Sequence, residues 1–260
     1  MDGQRTDAIP TNLRLLLVLE AVAKAGDPVT PTEVNASLGL PKPTIHRLFS
    51  TLVDEGFLQR DIGGRAYLPG PRLRGLAGGV LSSSRVRGAR QAILKKLSST
   101  IGETCNIALP DGDAMVYLER EETEWPLRIQ LPTGTRVPFY CTASGKMFLS
   151  TLKPAELKIY LDATELRPRA PGTYTDRAEL TAALERIRER GYATDRGEFM
   201  PDMIAVAVPI NDANGRLLAT LSFHAPTQRI DLERGLSFLP DLREAAAKLA
   251  THVSSRNVGP

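Results

Sequence analysis

Apolar residues recur at helical spacing in the first part of the chain and predict short amphipathic helices there. Residues 1–10 are polar with a late proline, so we expect a disordered leader. A first helix is predicted to start at Thr11 or Asn12, either of which can cap it, and to end at Gly26. Its apolar side is formed by Leu15, Leu16, Leu19, Val22 and Ala23.

Two more helices are predicted on either side of a single glycine, Gly39. Thr30 can cap the second helix, and Glu33 stands where a capping-box partner reaches back to it. The third helix should begin near Pro41 or Pro43, because proline is tolerated only in the first turn. Its apolar positions are Ile45, Leu48, Phe49 and Leu52.

Residues 57–60 and 65–68 alternate as two short strands around 61–64, whose glycines allow a tight turn. Two helices joined at a glycine and followed by a basic hairpin predict a winged helix-turn-helix, in which the second helix of the motif enters the major groove. The alternative is a small helical domain with a hairpin and no nucleic-acid partner.

The predicted DNA contacts lie on the outer face of the third helix and on the hairpin. Arg60 and Arg65 are expected near phosphates. His46 is ambiguous, since a partly buried, hydrogen-bonded histidine would also fit this helix. The full set of candidates is Lys42, Pro43, Thr44, His46, Arg47, Thr51, Arg60 and Arg65.

Beyond the hairpin, residues 71–88 read as a linker helix weakened by glycines and serines, whose arginines could also follow the DNA backbone. A helix near Ala89 then opens a second domain. Strands are predicted at 104–109, 114–119, 127–131, 204–210 and 217–223. Further helices are predicted near Ala143, Pro154 and Thr175 and at 239–254. Hairpin strands surrounded by helices indicate an antiparallel sheet in an α+β fold.

Charge is unevenly distributed along this chain of 260 residues, whose net charge is only +3. Residues 39–90 hold nine Lys or Arg against three acidic residues, a local balance of 9 − 3 = +6. This positive charge would give affinity for DNA through the release of counterions from the phosphates. The alternative is a basic surface that has no partner. The chain lacks a membrane-length apolar run and a signal-peptide pattern, so the expected compartment is the cytoplasm.

The chain also resembles a known family. The segments GTRVPFYCTASGKMFLS and RGYATDRGEFMPDMIAVAVPI, together with the winged module and linker, resemble the IclR family of bacterial transcriptional regulators, from about Leu13 to about Ser254. The resemblance implies a GAF-like second domain that binds a small effector. It also implies a homodimer or homotetramer that grips a palindromic double-stranded operator.

The same resemblance implies an effector site. The amides of Ala143 and Ser144 match a turn that cradles an effector carboxylate, and Asp195 matches an acceptor for an effector hydroxyl. This sequence has Ala205 where many members carry cysteine, Asp202 where many carry glycine, and Ser222 and His224 where the family often has two serines. The candidate set is Ala143, Ser144, Asp195, Met203, Ala205, Ser222 and His224.

These departures favour an effector larger or more apolar than a two-carbon acid, an aromatic carboxylate being one candidate. His224 would contact it, or would instead be a core histidine bonded to a backbone carbonyl.

The sequence contains no credible catalytic set. Cys105 and Cys141 fit a reducing compartment and have no metal-ligand spacing, and Cys141 reads as a buried cysteine rather than a nucleophile. We therefore expect no enzyme activity, no cofactor and no metal. The predicted division is a leader at 1–10, a DNA-binding domain at 11–70, a linker helix at 71–88 and an effector-binding, oligomerising domain at 89–260. An enzyme acting on a small acid, with an N-terminal interaction module, is the alternative.

Overall fold

The computed structural model describes residues 9–61, 64–81, 84–126 and 131–253. The chain divides into two compact units, Met1–Ser83 and Ser84–Pro260. No helix within the described ranges is both long and apolar enough to cross a bilayer. Those ranges also contain no group of three or more His, Cys, Asp or Glu side chains able to hold a metal ion.

The first unit consists of helices packed over a small hairpin. Its elements are α1 (Thr11–Ala25), α2 (Pro31–Leu38), α3 (Lys42–Asp54), β1 (Leu58–Arg60), β2 (Tyr67–Pro69) and α4 (Pro71–Leu81). Its core is apolar and includes Val18, Val22, Val34, Ile45, Phe49, Leu52 and Leu58. Phe49 and Tyr67 meet edge to face, with ring centroids 4.9 Å apart, so the hairpin is fixed against α3.

The turn between α2 and α3 is fixed by local hydrogen bonds. The predicted capping box is confirmed: the Glu33 amide donates to Thr30 Oγ1 at 3.3 Å, and the Thr30 amide donates to Glu33 Oε2 at 2.7 Å. Gly39 ends α2 with a φ of 61°, in the left-handed region that favours glycine. Asn35 then holds the turn, because its side chain bonds both the amide and the carbonyl of Leu40.

The start of α1 and the hairpin differ in detail from the prediction. Neither Thr11 nor Asn12 caps α1; Pro10 is the N-cap residue and makes no side-chain bond there. The second strand starts at Tyr67 rather than Arg65, because Asp61 Oδ1 accepts the amides of Arg65 and Ala66 and draws them into the turn. The turn residues 62–63 lie outside the described residues.

The predicted linker region contains the ends of two helices. After α4, helix α5 runs from Ser84 to Ile101, so the helix predicted near Ala89 begins five residues earlier. Ser84 stands in its first turn, and serine is favoured at helix starts, so Ser84 marks a beginning rather than a weak interior. Ser82 and Ser83 lie outside the described residues.

Within the described residues of the second unit, one antiparallel sheet has the strand order β5-β4-β3-β8-β7-β6. The strands are β3 (Thr104–Asp111), β4 (Ala114–Glu121), β5 (Arg136–Pro138), β6 (Ala193–Arg196), β7 (Met203–Asn211) and β8 (Leu217–Pro226). The remaining helices are α6 (Ala143–Leu149), α7 (Pro154–Ala163), α8 (Arg177–Arg190), α9 (Leu232–Ser237) and α10 (Leu239–Val253).

Each face of this sheet is covered by helices. On one face, strand residues such as Val206 and Phe223 pack with Leu94 of α5 and Leu242 of α10 in one apolar cluster. On the other, Ala207 belongs to a second cluster that also holds residues of α6, α7 and α8. The α+β architecture with an N-terminal helix-turn-helix is therefore confirmed.

The sequence patterns missed some elements of this unit. Of the strand predicted at 127–131, residues 127–130 lie outside the described residues, and Leu131 is not in a strand. The short strand β6 and the short helix α9 were not predicted, because four or six residues are too few to show a clear period.

Candidate functional site

The outer face of α3 is open along its whole length. Ile45, Phe49 and Leu52 are buried, so the residues between them face outward at helical spacing. Thr44 is half-buried, and the other candidates are exposed: Lys42, Pro43, His46, Arg47 and Thr51. The buried reading of His46 is wrong, since this side chain lies on the exposed face.

On the hairpin, the two candidate arginines have different surroundings. Arg60 donates from Nη1 to the Gly64 carbonyl at 3.0 Å, and its guanidinium lies 5.1 Å from the centroid of the Tyr67 ring. Arg65 is exposed. Arg60 is therefore held by the hairpin itself, whereas Arg65 extends from the turn into solvent.

Arginines that follow the hairpin are also tied to it. Arg72 donates to Glu55 Oε2 at 2.7 Å and lies over the Phe57 ring, while Arg74 donates to the Pro69 carbonyl at 2.6 Å. These contacts give both side chains a structural role in holding α4 to the hairpin.

In the second unit, the seven effector candidates line one cavity. Strand register brings three of them together, since Asp195 pairs with Ala205, and Ala205 pairs with His224, in one row across β6, β7 and β8. Residues directly opposite on antiparallel strands share a face, and α6 covers this face. The full lining is Tyr117, Leu131, Thr142, Ala143, Ser144, Asp195, Phe199, Met200, Met203, Ile204, Ala205, Ser222 and His224.

Helix α6 packs tightly against the segment that follows β5 because of its glycine. A Cβ on Gly145 would lie 2.3 Å from the Cα and carbonyl oxygen of Phe139, so only glycine fits there. Thr142 caps the helix by accepting the Gly145 amide at 3.1 Å. Ser144 then donates to Ser222 Oγ at 3.2 Å, which joins the helix start to β8.

His224 presents a hydrogen-bond donor to this cavity. The Asn106 amide group lies 3.2 Å from His224 Nδ1, and Arg120 donates to the other end of that amide at 3.4 Å. Asn106 therefore donates to Nδ1, which puts the imidazole proton on Nε2. Burial, and then the charge of Arg120, lower the pKa of His224 to about 3, so the ring is neutral. Nε2 is buried and has no hydrogen-bond partner among the described residues.

Asp195 lies at the other end of the row. Burial is the main reason that its pKa rises to about 7. Its Oδ1 accepts the Glu198 amide at 2.7 Å. Glu198 in turn forms a buried ion pair with Lys146. Burial lowers the pKa of Lys146 and raises that of Glu198.

The cavity is small, and the described residues that line it include no lysine or arginine. The volume of the cavity is about 30 Å³. Phe199, Met200 and Met203 project from the segment that joins β6 to β7 and from the start of β7, and they narrow it. An aromatic ring would need these side chains to move, which flexible methionines allow.

Several lining residues escaped the sequence reasoning. Tyr117 is buried in β4, and burial raises its pKa to about 12. Phe199 and Met200 lie in an irregular segment that has no periodic signal. Alternation in β4 could have placed Tyr117 on the same face as the pocket, but no local pattern pairs it with Asp195.

Cys141 beside α6 is buried, as predicted. Burial raises the pKa of its thiol to about 12, so it stays protonated at neutral pH. A protonated thiol is a poor nucleophile, which argues against covalent catalysis at this position.

Comparison with known proteins covers both units. The IclR helix-turn-helix domain matches residues 13–61, and the bacterial transcriptional regulator IclR C-terminal domain matches residues 78–251. A curated relative, "Probable transcriptional regulator SauR" of Cupriavidus necator, is 37% identical over 237 residues, which make up 91% of this chain and 94% of that protein.

Solved structures agree with these matches. The crystal structure of Thermotoga maritima IclR superposes with a TM-score of 0.62 at 29% identity, covering 94% of this chain and 99% of that one. An IclR homolog from Microbacterium hydrocarbonoxydans, crystallised in complex with 4-hydroxybenzoate, has a TM-score of 0.60 at 25% identity and covers 92% of this chain and 98% of its own.

Proposed function

This chain belongs to the IclR family of bacterial transcriptional regulators, and we propose that a small organic acid in the cavity between α6 and the sheet controls its binding to DNA. The observation that carries this proposal is His224, whose buried Nε2–H has no acceptor in the described protein. A buried donor without a partner costs about 1–3 kcal/mol, and a bound acceptor would remove that cost.

The chemistry of the cavity favours an acid held by neutral donors. The first amides of α6, at Ala143 and Ser144, and the imidazole Nε2–H of His224 can donate to carboxylate or hydroxyl oxygens. Asp195 opposite them can accept from an effector hydroxyl, or donate to the effector when protonated. The 4-hydroxybenzoate of the Microbacterium hydrocarbonoxydans homolog combines a carboxylate with a hydroxyl, and an aromatic hydroxy acid is one class to test here.

The effector proposal can be tested by thermal-shift screening of aliphatic and aromatic carboxylic acids, because a ligand that binds only the folded protein raises its melting temperature. His224→Leu keeps most of the side-chain volume but removes the donor, and it should abolish the shift. His46→Leu, the same substitution at an exposed position of the first unit, should leave the shift intact. A shift that survives in His224→Leu would rule out the binding role of His224.

For DNA, we propose that Lys42, Pro43, Thr44, His46 and Arg47 contact the major groove, with Thr51 further along the same helix face. Arg60 and Arg65 contact phosphates in this proposal. The exposed face of α3 and the open position of Arg65 support this assignment. We also propose a cytoplasmic location, which DNA binding and the family support, and we infer no catalytic activity.

Base contacts and phosphate contacts predict different losses of DNA affinity when the side chain is removed. Arg47→Ala should weaken binding to a selected operator by about 1–3 kcal/mol and random DNA far less, if Arg47 contacts a base. Arg65→Ala should weaken binding to both DNAs alike and reduce the salt slope by about 1. Arg177→Ala removes the same charge from an exposed position in the second unit and serves as the control. Equal losses on both DNAs for Arg47→Ala would refute its role in specificity.

We also propose that the protein binds a palindromic operator as a homodimer or homotetramer. Exposed leucines of the first unit support self-association, namely Leu13, Leu16 and Leu76. Sedimentation equilibrium with and without an operator duplex measures the stoichiometry. A monomer on a single half-site would contradict the proposal.

A further inference from the structure

A second cavity lies at the outer edge of the sheet, beside β6. Its volume is about 190 Å³, which is larger than the volume of the effector cavity. Its polar lining includes Lys146, Tyr174, Arg186, Arg190, Arg196 and Glu198. Nothing in the proposed effector chemistry uses this space.

Local geometry explains why arginines gather there. Side chains alternate along a strand, so Thr194 and Arg196 point away from the face that presents Asp195 to the effector cavity. Arg186 and Arg190 are four residues apart on α8 and therefore share one helix face. Strand β6 is an edge strand of the sheet. Helix α8 and strand β6 together bring three guanidinium groups to one cavity.

The charges in this cavity are not balanced by the protein. Lys146 and Glu198 neutralise each other in their buried ion pair. Among the described residues, no carboxylate lies within ion-pair distance of Arg186, Arg190 or Arg196, which leaves three positive charges together.

Arg190 is also held in place. It donates to the Tyr192 carbonyl at 2.8 Å and to Thr194 Oγ1 at 3.3 Å. Burial lowers the pKa of Arg190, and the neighbouring charges of Arg196 and Arg186 lower it further. Like charges four residues apart on a helix destabilise it, so this arrangement carries a cost that a bound anion would remove.

We propose that this cavity is a second ligand site, which binds the phosphate group of a small phosphomonoester. Guanidinium groups match phosphate well, because their planar forks form paired, charge-assisted hydrogen bonds to its oxygens. Tyr174 and Thr194 add neutral polar surface, and the cavity volume leaves room for a few carbon atoms beside the phosphate. Monocarboxylates would neutralise the three arginines less completely.

The site adjoins the effector cavity through one residue. Glu198 lines the arginine cavity, and its backbone amide donates to Asp195 Oδ1 in the effector cavity. A phosphate bound near Lys146 would therefore be separated from the effector site by Glu198.

Titration calorimetry on the full chain tests the proposal, in low-salt buffer without phosphate at pH 7.5. The probes are inorganic phosphate and glycerol phosphate, with acetate as the monovalent comparison. We expect saturable binding of both phosphate probes and much weaker binding of acetate. Arg186→Gln and Arg196→Gln should each weaken phosphate binding about tenfold or more, since each removes charge-assisted hydrogen bonds.

Both arginine side chains are exposed and make no hydrogen bond to described residues, so the variants should keep the melting temperature of the unliganded protein. The matched control is Arg177→Gln, an exposed position at the start of α8, which should bind phosphate normally. Absence of saturable phosphate binding, or equal weakening by Arg177→Gln, would overturn the proposal. The proposal would also be overturned if the variants lost affinity for random DNA but kept phosphate binding, because the arginines would then contact nucleic acid.

Discussion

Neutralising Asp195 should stabilise the second unit, and the gain should depend on pH. Asp195 is only 6% exposed, and burial raises its pKa from 3.8 to about 7. Asp195→Asn removes the charge while its Oδ1 can still accept the Glu198 amide. The substitution therefore isolates the cost of keeping an ionisable group in this cavity.

The magnitude follows from the difference between the folded and unfolded pKa values. A pKa raised on folding means that the unfolded chain ionises first, so the free energy of unfolding falls as pH rises from about 4 to about 7. The cost is absent below pH 4 and complete above pH 7. A difference of about three units corresponds to about 4 kcal/mol at most.

Urea unfolding between pH 5 and pH 8 measures this cost. Trp125 is the single tryptophan of the chain and lies in the second unit, so its fluorescence follows that unit. The stability gained by Asp195→Asn over the natural protein should grow steadily from pH 5 to pH 7 and then level off.

Asp113 supplies a control, because its pKa is shifted in the opposite direction from that of Asp195. Its pKa is lowered, chiefly by the side-chain hydrogen bond from Arg136, so Asp113→Asn should not gain stability as pH rises. If Asp195→Asn and the natural protein showed parallel pH profiles from pH 5 to pH 8, Asp195 would be ionised normally and the reasoning would be wrong.

Substitutions at three further positions test local backbone fit and helix capping. Gly145→Ala should cost at least about 3 kcal/mol in urea unfolding, because its Cβ would meet the Phe139 backbone at 2.3 Å; an unchanged midpoint would contradict this. Asp202 has a φ of 55°, so Asp202→Val should lose about 1–2 kcal/mol and Asp202→Gly less than about 0.5. Thr30→Ala should lower the stability of the first unit by about 1 kcal/mol, measured by circular dichroism, whereas Thr30→Asn should retain the cap.

The first unit was largely readable from the sequence. The capping pair Thr30 and Glu33 and the left-handed Gly39 act within ten residues of each other, so a local pattern contains the physical cause of the turn. The limits of the hairpin were less accurate, because the Asp61 side chain redirects two amides that alternation alone had assigned to a strand.

The seven effector candidates came from the family resemblance rather than from periodicity. Strand register explains why they meet: Asp195, Ala205 and His224 are far apart in the chain but opposite one another in the sheet. Asp202, noted as a departure from glycine, has the positive φ that such a glycine accommodates.

The sequence by itself determined the helix-turn-helix and the α+β class, because local hydrogen bonds and side-chain period set these features. The residues of the effector turn came from the family resemblance. Only the tertiary structure decided the narrow cavity, the Nε2 of His224 that has no partner in the described part of the chain, and the arginines gathered beside β6. These properties depend on burial and on distances between residues that are remote in the chain. Burial is the main reason that the pKa of Asp195, which the sequence alone shows as an ordinary turn aspartate, rises to about 7.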